Sequence, residues 1–411
     1  MGTEGLGNYD VAIVGAGPAG ARAAYVLARR GARVTIFDPS HPREKPCGGG
    51  VTGRALALVD DAIDPSSFAR TTIRAARFTN AGSERTRPTN DRIDARQRRT
   101  SGPFGPGDAG SCVDLDGGAL IVASRSTFDA ALLAAAERAG AMVERARVTD
   151  VTADTGGVTL ETAGGRRRAD FVIGADGANS LVRRRVASAF RRSQLSIATG
   201  FFARGVTSDE IVVELTADPP GYIWSFPRPD HLAIGICAQA DAGVTAEALR
   251  GRTAAWISAT GIARGARLQP YSWPIPSLSV RDFEDPALAG PRWALVGDAA
   301  GLVDPITREG IYFGLASGDW IGAALGTRHG AREYAARVRD EAIAELVRAA
   351  RLKAGFFRPV FVSLLLRALE QSAAIRAVMA DLVSGRQRYA TLKWRLIKTF
   401  EVGLAWRALT A

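Results

Sequence analysis

Residues 11–14 form a continuous apolar run, and the glycine turn GAGPAG follows at 15–20. Residues 21–30 then read as helix and 33–37 as a second apolar run. That order predicts a strand, a helix and a second, parallel strand. STFDAALLAAAERAG at 126–140 predicts another helix with a capping-type start, and 142–148 a further strand. Short buried-type strands are expected at 171–174 and 293–296, and a helix at 310–325. Between 196 and 240 the pattern changes: IVVELTA, YIWSFP and HLAIGI read as strands of an antiparallel sheet inserted into the first unit. The arginine-rich stretch 71–100 has little periodicity and 101–110 is a Gly/Pro cluster, so a loop or insertion is expected there. Beyond 331 the pattern is helical, amphipathic and basic to the end.

With 411 residues, 46% of them apolar and 23% charged, the chain has material for two or three packed units, which excludes disorder as the dominant state. Cys47, Cys112 and Cys237 are too far apart for a CxxC site and too few for a disulfide framework, and only three histidines are present. No metal centre is expected, and a reducing, cytoplasmic compartment fits. The first residues lack the basic start and apolar run of a secretory signal, and 356–369 is too short and too interrupted to span a bilayer. The net charge is +11, carried by 49 arginines and only four lysines. Residues 331–411 hold 15 basic and 7 acidic side chains. No nucleic-acid recognition motif accompanies them, so anionic lipid headgroups or a diphosphate substrate are the expected partners rather than nucleic acid.

Gly15, Gly17 and Gly20 form GxGxxG directly after a strand, and Asp38 closes the second strand. Gly15 permits the tight turn, Gly17 lets the backbone approach a pyrophosphate, and Gly20 lets helix and strand pack closely. The helix N-terminus offers free N–H groups to the phosphate, and a carboxylate at 38 suits a ribose diol. A dinucleotide is therefore expected, its identity left open by this loop.

Four further segments stand in order: KPCGGG at 45–50, Arg125 ahead of its helix, GADGANSLVRR at 174–184 and GDAAGLVDPITREGIYFGLASG at 297–318. Together they resemble the flavoprotein class that includes aromatic hydroxylases, flavin halogenases and geranylgeranyl reductases. PCGGG, the P-x-x-Y-x-W-x-F-P pattern at 219–227 and DPITREGI look most like the geranylgeranyl reductase family. The resemblance implies an α/β fold: an FAD-binding Rossmann-like domain (8–75, 118–185 and 280–330), an inserted antiparallel β-sheet substrate domain (76–117 and 186–279) and a C-terminal helical segment (331–411). It implies FAD held by the 15–20 loop, Ala16 included, with Ala19, Asp38, Arg125 and Val148 at the adenosine side. Cys47, Gly48 and Gly50 would flank the isoalloxazine, Asp298 would reach the ribitol or pyrophosphate, and the Gly310 and Ile311 N–H groups the pyrimidine end. Arg308 stands where that family often has a small residue.

Strand geometry puts Tyr222, Trp224 and Phe226 on one face and Ile223 with Ser225 on the other. From periodicity alone that aromatic face is core or cavity wall; the resemblance makes it the wall along which an isoprenoid lies, and Tyr271, Trp273, Pro274 and Pro276 read equally as an extension of it or as core packing. Cys47, Tyr222 and Trp224 are then the candidate catalytic residues, Cys47 as orienting group or proton source. Cys47 also reads as a small buried hydrophobe, Asp298 as a helix cap, Asp176 as an ordinary turn residue and His41 as a surface histidine. The implied activity is reduction of isoprenoid carbon–carbon double bonds, with NAD(P)H or a ferredoxin-like donor as reductant. An FAD-dependent monooxygenase and a membrane-associated flavin electron carrier are the alternatives. Any membrane contact is expected to be peripheral, through the basic C-terminal segment.

Overall fold

The computed structural model describes residues 9–80, 110–327 and 329–399. A six-stranded sheet forms the first layer, in the order Ala289–Gly290, Trp293–Leu295, Phe171–Gly174, Asp10–Val14, Arg33–Phe37, Met142–Glu144. All its pairings are parallel except the hairpin at Ala289–Gly290. Val11 to Val14 are buried throughout, as a central parallel strand covered on both faces requires. The helix Pro18–Arg29 starts with proline in its first turn, where a missing N–H costs nothing, and packs on Ile311–Ala324 and Arg125–Arg138.

The second layer is a seven-stranded sheet: Arg267–Pro276, Leu195–Arg204, His231–Gln239, Pro220–Pro227, Glu210–Ala217, Ala75–Asn80, Ser111–Asp114. It is antiparallel apart from the pairing of Glu210–Ala217 with Ala75–Asn80. Ile223 on one face packs with Leu249, Trp256 and Ile257 of the helix Ala246–Thr260. The other face is turned toward the first layer and the C-terminal helices. Among the described residues five α-helices follow residue 329, at Gly330–Val338, Ala344–Phe356, Pro359–Gln371, Ala373–Val383 and Tyr389–Lys398. Val362, Leu365, Leu369, Ile375 and Met379 close a core with Phe78, Val113, Ile211 and Leu215. No helix among the described residues is long and apolar enough to cross a membrane.

Two expectations need correction. The strand expected at 142–148 is two strands in different sheets, Met142–Glu144 and Val148–Asp154, separated where Ala146 N–H turns back onto the Glu144 carbonyl. The start of the stretch expected as a loop at 71–100 is sheet: Arg70–Thr72 and Ala75–Asn80. There Ala76 and Phe78 turn inward, while Arg77 between them pairs with Glu210. The remainder of that segment to residue 109 lies outside the described residues, as do the last residues of the chain.

Candidate active site

Between the two layers lies a cavity of about 830 Å³. Of the site residues singled out from the sequence, the cofactor positions Ala16 and Gly20 and the wall positions Tyr271, Pro274 and Pro276 do not line it; the others do. Gly20 serves the fold: a Cβ there would stand 2.0 Å from the Gly15 carbonyl oxygen. Gly15 itself has φ +105°, and a Cβ would meet Ala175 O at 2.4 Å. Gly17 differs, since the nearest atom to a Cβ would be His41 Nε2 at 3.9 Å, so this glycine faces open space. The helix Pro18–Arg29 begins there without a side-chain cap or an acidic residue in its first turn, and its N-terminal N–H groups are turned to the cavity edge. A second helix, Ile311–Ala324, also starts uncapped on the cavity, at Gly310. Asp298 bonds Lys45 at 3.3 Å rather than capping a helix, and a Cβ on Gly310 would come 3.1 Å from its Oδ1.

Asp38 is held within its own loop. It accepts from the N–H groups of Ala16, Ser40 and His41 at 2.8–3.0 Å and from the His41 ring at 2.9 Å. Burial opposes its ionisation, but the His41 ring and the Ala16 N–H hold the carboxyl well below the usual range. His41 is not a surface residue: it is buried between Asp38 and Asp129, with Nε2 3.3 Å from Asp129 Oδ2. Burial works against its charge, yet Asp129 and Asp38 raise its pKa above the ordinary value. Protonated His41 therefore contributes stability that is complete below about pH 6.5 and is lost as pH rises through the higher folded-state value. Between about pH 6 and pH 9 the urea midpoint of the native protein should fall more steeply than that of His41→Gln. Parallel midpoints for the two proteins would exclude this role.

The glycines at 48–50 admit side chains from the second layer. A Cβ on Gly48 would stand 2.9 Å from the Phe226 ring, and one on Gly50 3.2 Å. Gly49, at φ +84°, lies against Ala123 O and Arg228. Arg228, fully buried, pairs with Glu44 and donates from Nη2 to the Cys47 carbonyl at 2.7 Å. Burial pushes the Glu44 carboxyl up, but Arg228 and the Arg125 N–H bring it below its ordinary value. Arg125 makes a bidentate pair with Asp129, at 2.8 Å for each bond, and its Nη1 lies 3.7 Å from Cys47 Sγ; Arg228 Nη2 lies 3.9 Å from the same sulfur. Two guanidinium groups thus converge on the thiol. Arg228, Glu44 and Asp129 were missed in the sequence; an arginine immediately after the apolar strand ending at Pro227 was the available signal.

Tyr222, Trp224 and Phe226 face the cavity, as period two requires. Trp224 lies across Gly235, where a Cβ would be 2.5 Å from its ring. Tyr222 donates to the Thr307 carbonyl at 2.7 Å and so ties this strand to the turn ahead of Gly310; burial raises its pKa well above the ordinary value. Trp273 and Ile275 extend the wall, whereas Tyr271 packs into the sheet and donates to Ile234 O at 2.9 Å. The far end is apolar: Phe356, Met379, Leu382 and Val383 come from the C-terminal helices. Asp176, at the cavity edge, accepts from Ser180 Oγ and the N–H groups of Leu181 and Val182, so its carboxylate caps the Leu181–Val186 helix. Next to Gly310, partly buried Glu309 pairs with Arg54 and accepts from Thr52 at 3.0 Å.

An elongated dinucleotide with a planar ring system suits this cavity. Open space above Gly17 meets one uncapped helix start, a second uncapped start lies at Gly310, and both line the same cavity as the aromatic side chains Trp224 and Phe226. Comparison with known proteins agrees. Residues 8–314 match the FAD binding domain family. A menaquinone reductase of Mycolicibacterium smegmatis is 30% identical over 344 residues, covering 79% of this chain and 78% of that protein. A geranylgeranyl diphosphate reductase of Synechocystis sp. is 29% identical over 328 residues, 74% of this chain and 72% of that protein. In fold, the chain is similar to a geranylgeranyl bacteriochlorophyll reductase-like protein of Thermoplasma acidophilum, with TM-score 0.75 and 22% identity over 95% of this chain and 99% of that one. Since the family match spans well over half of the chain, and since the cavity has the form that the cofactor needs, this protein belongs to the FAD-binding domain family and is an FAD-dependent oxidoreductase, similar to geranylgeranyl reductases.

Proposed function

We propose that the protein saturates carbon–carbon double bonds of an isoprenoid substrate. The observation that carries this reading is the continuity of the cavity: one apolar wall runs from Phe226 and Trp224 beside the glycine loop to Met379, Leu382 and Val383 under the C-terminal helices. Burying each CH₂ of a polyprenyl chain along such a wall contributes about 0.8 kcal/mol. When bound and reduced, FAD supplies hydride to one alkene carbon. The residues proposed to hold it are Gly15 and Gly17 at the pyrophosphate, Ala19, Asp38, Arg125 and Val148 toward the adenosine, Asp298 at the ribitol or pyrophosphate, and the Gly310 and Ile311 N–H groups at the pyrimidine. Trp224 and Phe226 orient the alkene and exclude water. Tyr222 keeps its proton, because its hydroxyl is buried and committed to Thr307 O, so its part is wall and strut. Cys47 is the candidate proton source: guanidinium donors face its sulfur lone pairs and leave the S–H free to turn toward the cavity it lines. NAD(P)H or a ferredoxin-like donor is the proposed reductant.

A second reading is favoured by the 30% identity to a menaquinone reductase. Menaquinones also carry an isoprenoid chain, so the two substrate classes share the tail and differ in the head. Holoenzyme reduced without oxygen and given geranylgeranyl diphosphate or a menaquinone should yield product heavier by two hydrogens per saturated bond, read by mass spectrometry. An added oxygen atom under air would instead establish a monooxygenase, and flavin reoxidation with neither product an electron carrier.

A further inference from the structure

Exposed apolar side chains gather on the C-terminal helices. Among the described residues six large apolar side chains are exposed, and Leu352, Val360, Trp394 and Ile397 are four of them. Val360 and Trp394 are the most exposed of the six, at 67% and 65%. Positive charge without a partner gathers on the same helices. Residues 344–399 hold 11 basic and 3 acidic side chains. Two of those acids are committed, Asp381 to Arg386 and Arg395, and Glu345 to Arg348. Arg351, Arg358, Arg367, Lys393 and Lys398 are exposed and make no ion pair among the described residues. Arg351 directly precedes Leu352, Arg358 stands two positions before Val360, and Trp394 and Ile397 fall between Lys393 and Lys398.

The helix Tyr389–Lys398 carries the densest part of this pattern, and none of its residues is fully buried. Leu396 packs against the core beneath, and Arg395 reaches Asp381 at 2.6 Å. Trp394 and Ile397, three positions apart, share the outer face. Lys393 is four positions from Ile397 and Lys398 four from Trp394, so a lysine stands on either side of the apolar pair. An indole and an aliphatic side chain flanked by ammonium groups suit the headgroup level of a bilayer, where the rings enter the acyl boundary and the lysines meet anionic lipid. A second copy of the chain fits this face poorly: a two-fold contact sets the same patch against itself and would gather four lysines with no acid of that patch among them. The inner side of the segment points the same way. This helix packs on Ala344–Phe356 and Ala373–Val383, which supply Phe356, Met379, Leu382 and Val383 to the apolar end of the cavity.

We propose that the outer face of Tyr389–Lys398 docks peripherally on an anionic lipid bilayer, Trp394 and Ile397 entering it between Lys393 and Lys398. Docking itself is independent of the substrate; on the isoprenoid reading it brings the apolar end of the cavity to the phase in which such a substrate dissolves. Oxidised holoenzyme without substrate should float with vesicles of equal parts phosphatidylcholine and phosphatidylglycerol at low salt. Binding to phosphatidylcholine alone should be at least roughly tenfold weaker. About 1 M salt, where charges are screened within about 3 Å, should release the protein. Trp394→Ala, and separately Lys393→Gln with Lys398→Gln, should each weaken binding to the mixed vesicles at least roughly tenfold, with flavin content and melting temperature unchanged. Trp394→Phe should still bind, yet lose most of the tryptophan quenching that brominated acyl chains cause in the native protein, a change that a merely structural residue would not produce. Absence of flotation on the mixed vesicles at low salt overturns the proposal, as does native binding by a variant lacking Trp394, Lys393 and Lys398 together. A dimer on gel filtration that Trp394→Ala dissociates, in a protein indifferent to vesicles, would make this face a contact between copies and defeat the lipid assignment. No turnover enters any of these measurements, so their failure is distinct from failure of the isoprenoid reading.

Discussion

Replacing Gly17 by alanine should give a folded protein that no longer holds flavin. A Cβ at this position enters open space, and the backbone there, at φ −69° and ψ −178°, accepts any L residue. The cost to the apoprotein is that of a poorer helix cap, about 1 kcal/mol. In the proposed binding mode the new methyl group occupies the volume through which the pyrophosphate approaches the helix start, so flavin affinity should fall by roughly a hundredfold or more, equivalent to about 3 kcal/mol. Gly20→Ala is the contrasting control. Its Cβ would overlap the Gly15 carbonyl, and loss of folded protein is expected. Flavin absorbance retained after gel filtration, beside thermal melts of the apoproteins, distinguishes the two. A Gly17→Ala protein that stays fully yellow would remove the loop from the binding site.

Arg228→Met should destabilise the protein by about 3–5 kcal/mol, because it strands Glu44 in a site from which water is largely excluded. It also frees the Cys47 carbonyl from its donor, loosening the glycine loop against Phe226. Adding Glu44→Gln should recover part of the loss, since a neutral amide is less costly to leave without its guanidinium than a carboxylate. Urea denaturation of the two single variants and the double variant measures the coupling, and thiol labelling read at the Cys47 peptide reports the loop. A single-variant cost below about 1 kcal/mol would mean that Arg228 is not the clamp.

The reach of sequence reasoning followed the range of the interactions. Gly15, Gly17, Gly20 and Asp38 were legible because a short loop between a strand and a helix imposes its own backbone geometry. The wall of Tyr222, Trp224 and Phe226 was legible because period two fixes which side chains share a face, although not whether that face is core or cavity. Arg228 was not legible: its partners Glu44 and Cys47 lie 184 and 181 positions away along the chain. The same holds for His41, which is taken from the surface by Asp129, a residue on a helix the local pattern does not bring near it. Asp38 marks a subtler limit. Its position was read from the strand end, but apart from the Ala16 N–H the hydrogen bonds that occupy its carboxylate belong to the His41 loop. For Met379, Leu382 and Val383 the sequence showed apolar positions on a helix and nothing of what they would face.

Those three side chains bound the cavity from a part of the chain well downstream of the turns proposed to grip the coenzyme. A back wall carried on separate helices can be moved nearer or farther by exchanging large and small side chains, with the colour of the protein untouched. On the proposed isoprenoid reading, selectivity for substrate length, and for which olefin along it comes to rest at the reactive position, is in this way separable from redox capacity, and natural variants are free to drift in the one while keeping the other.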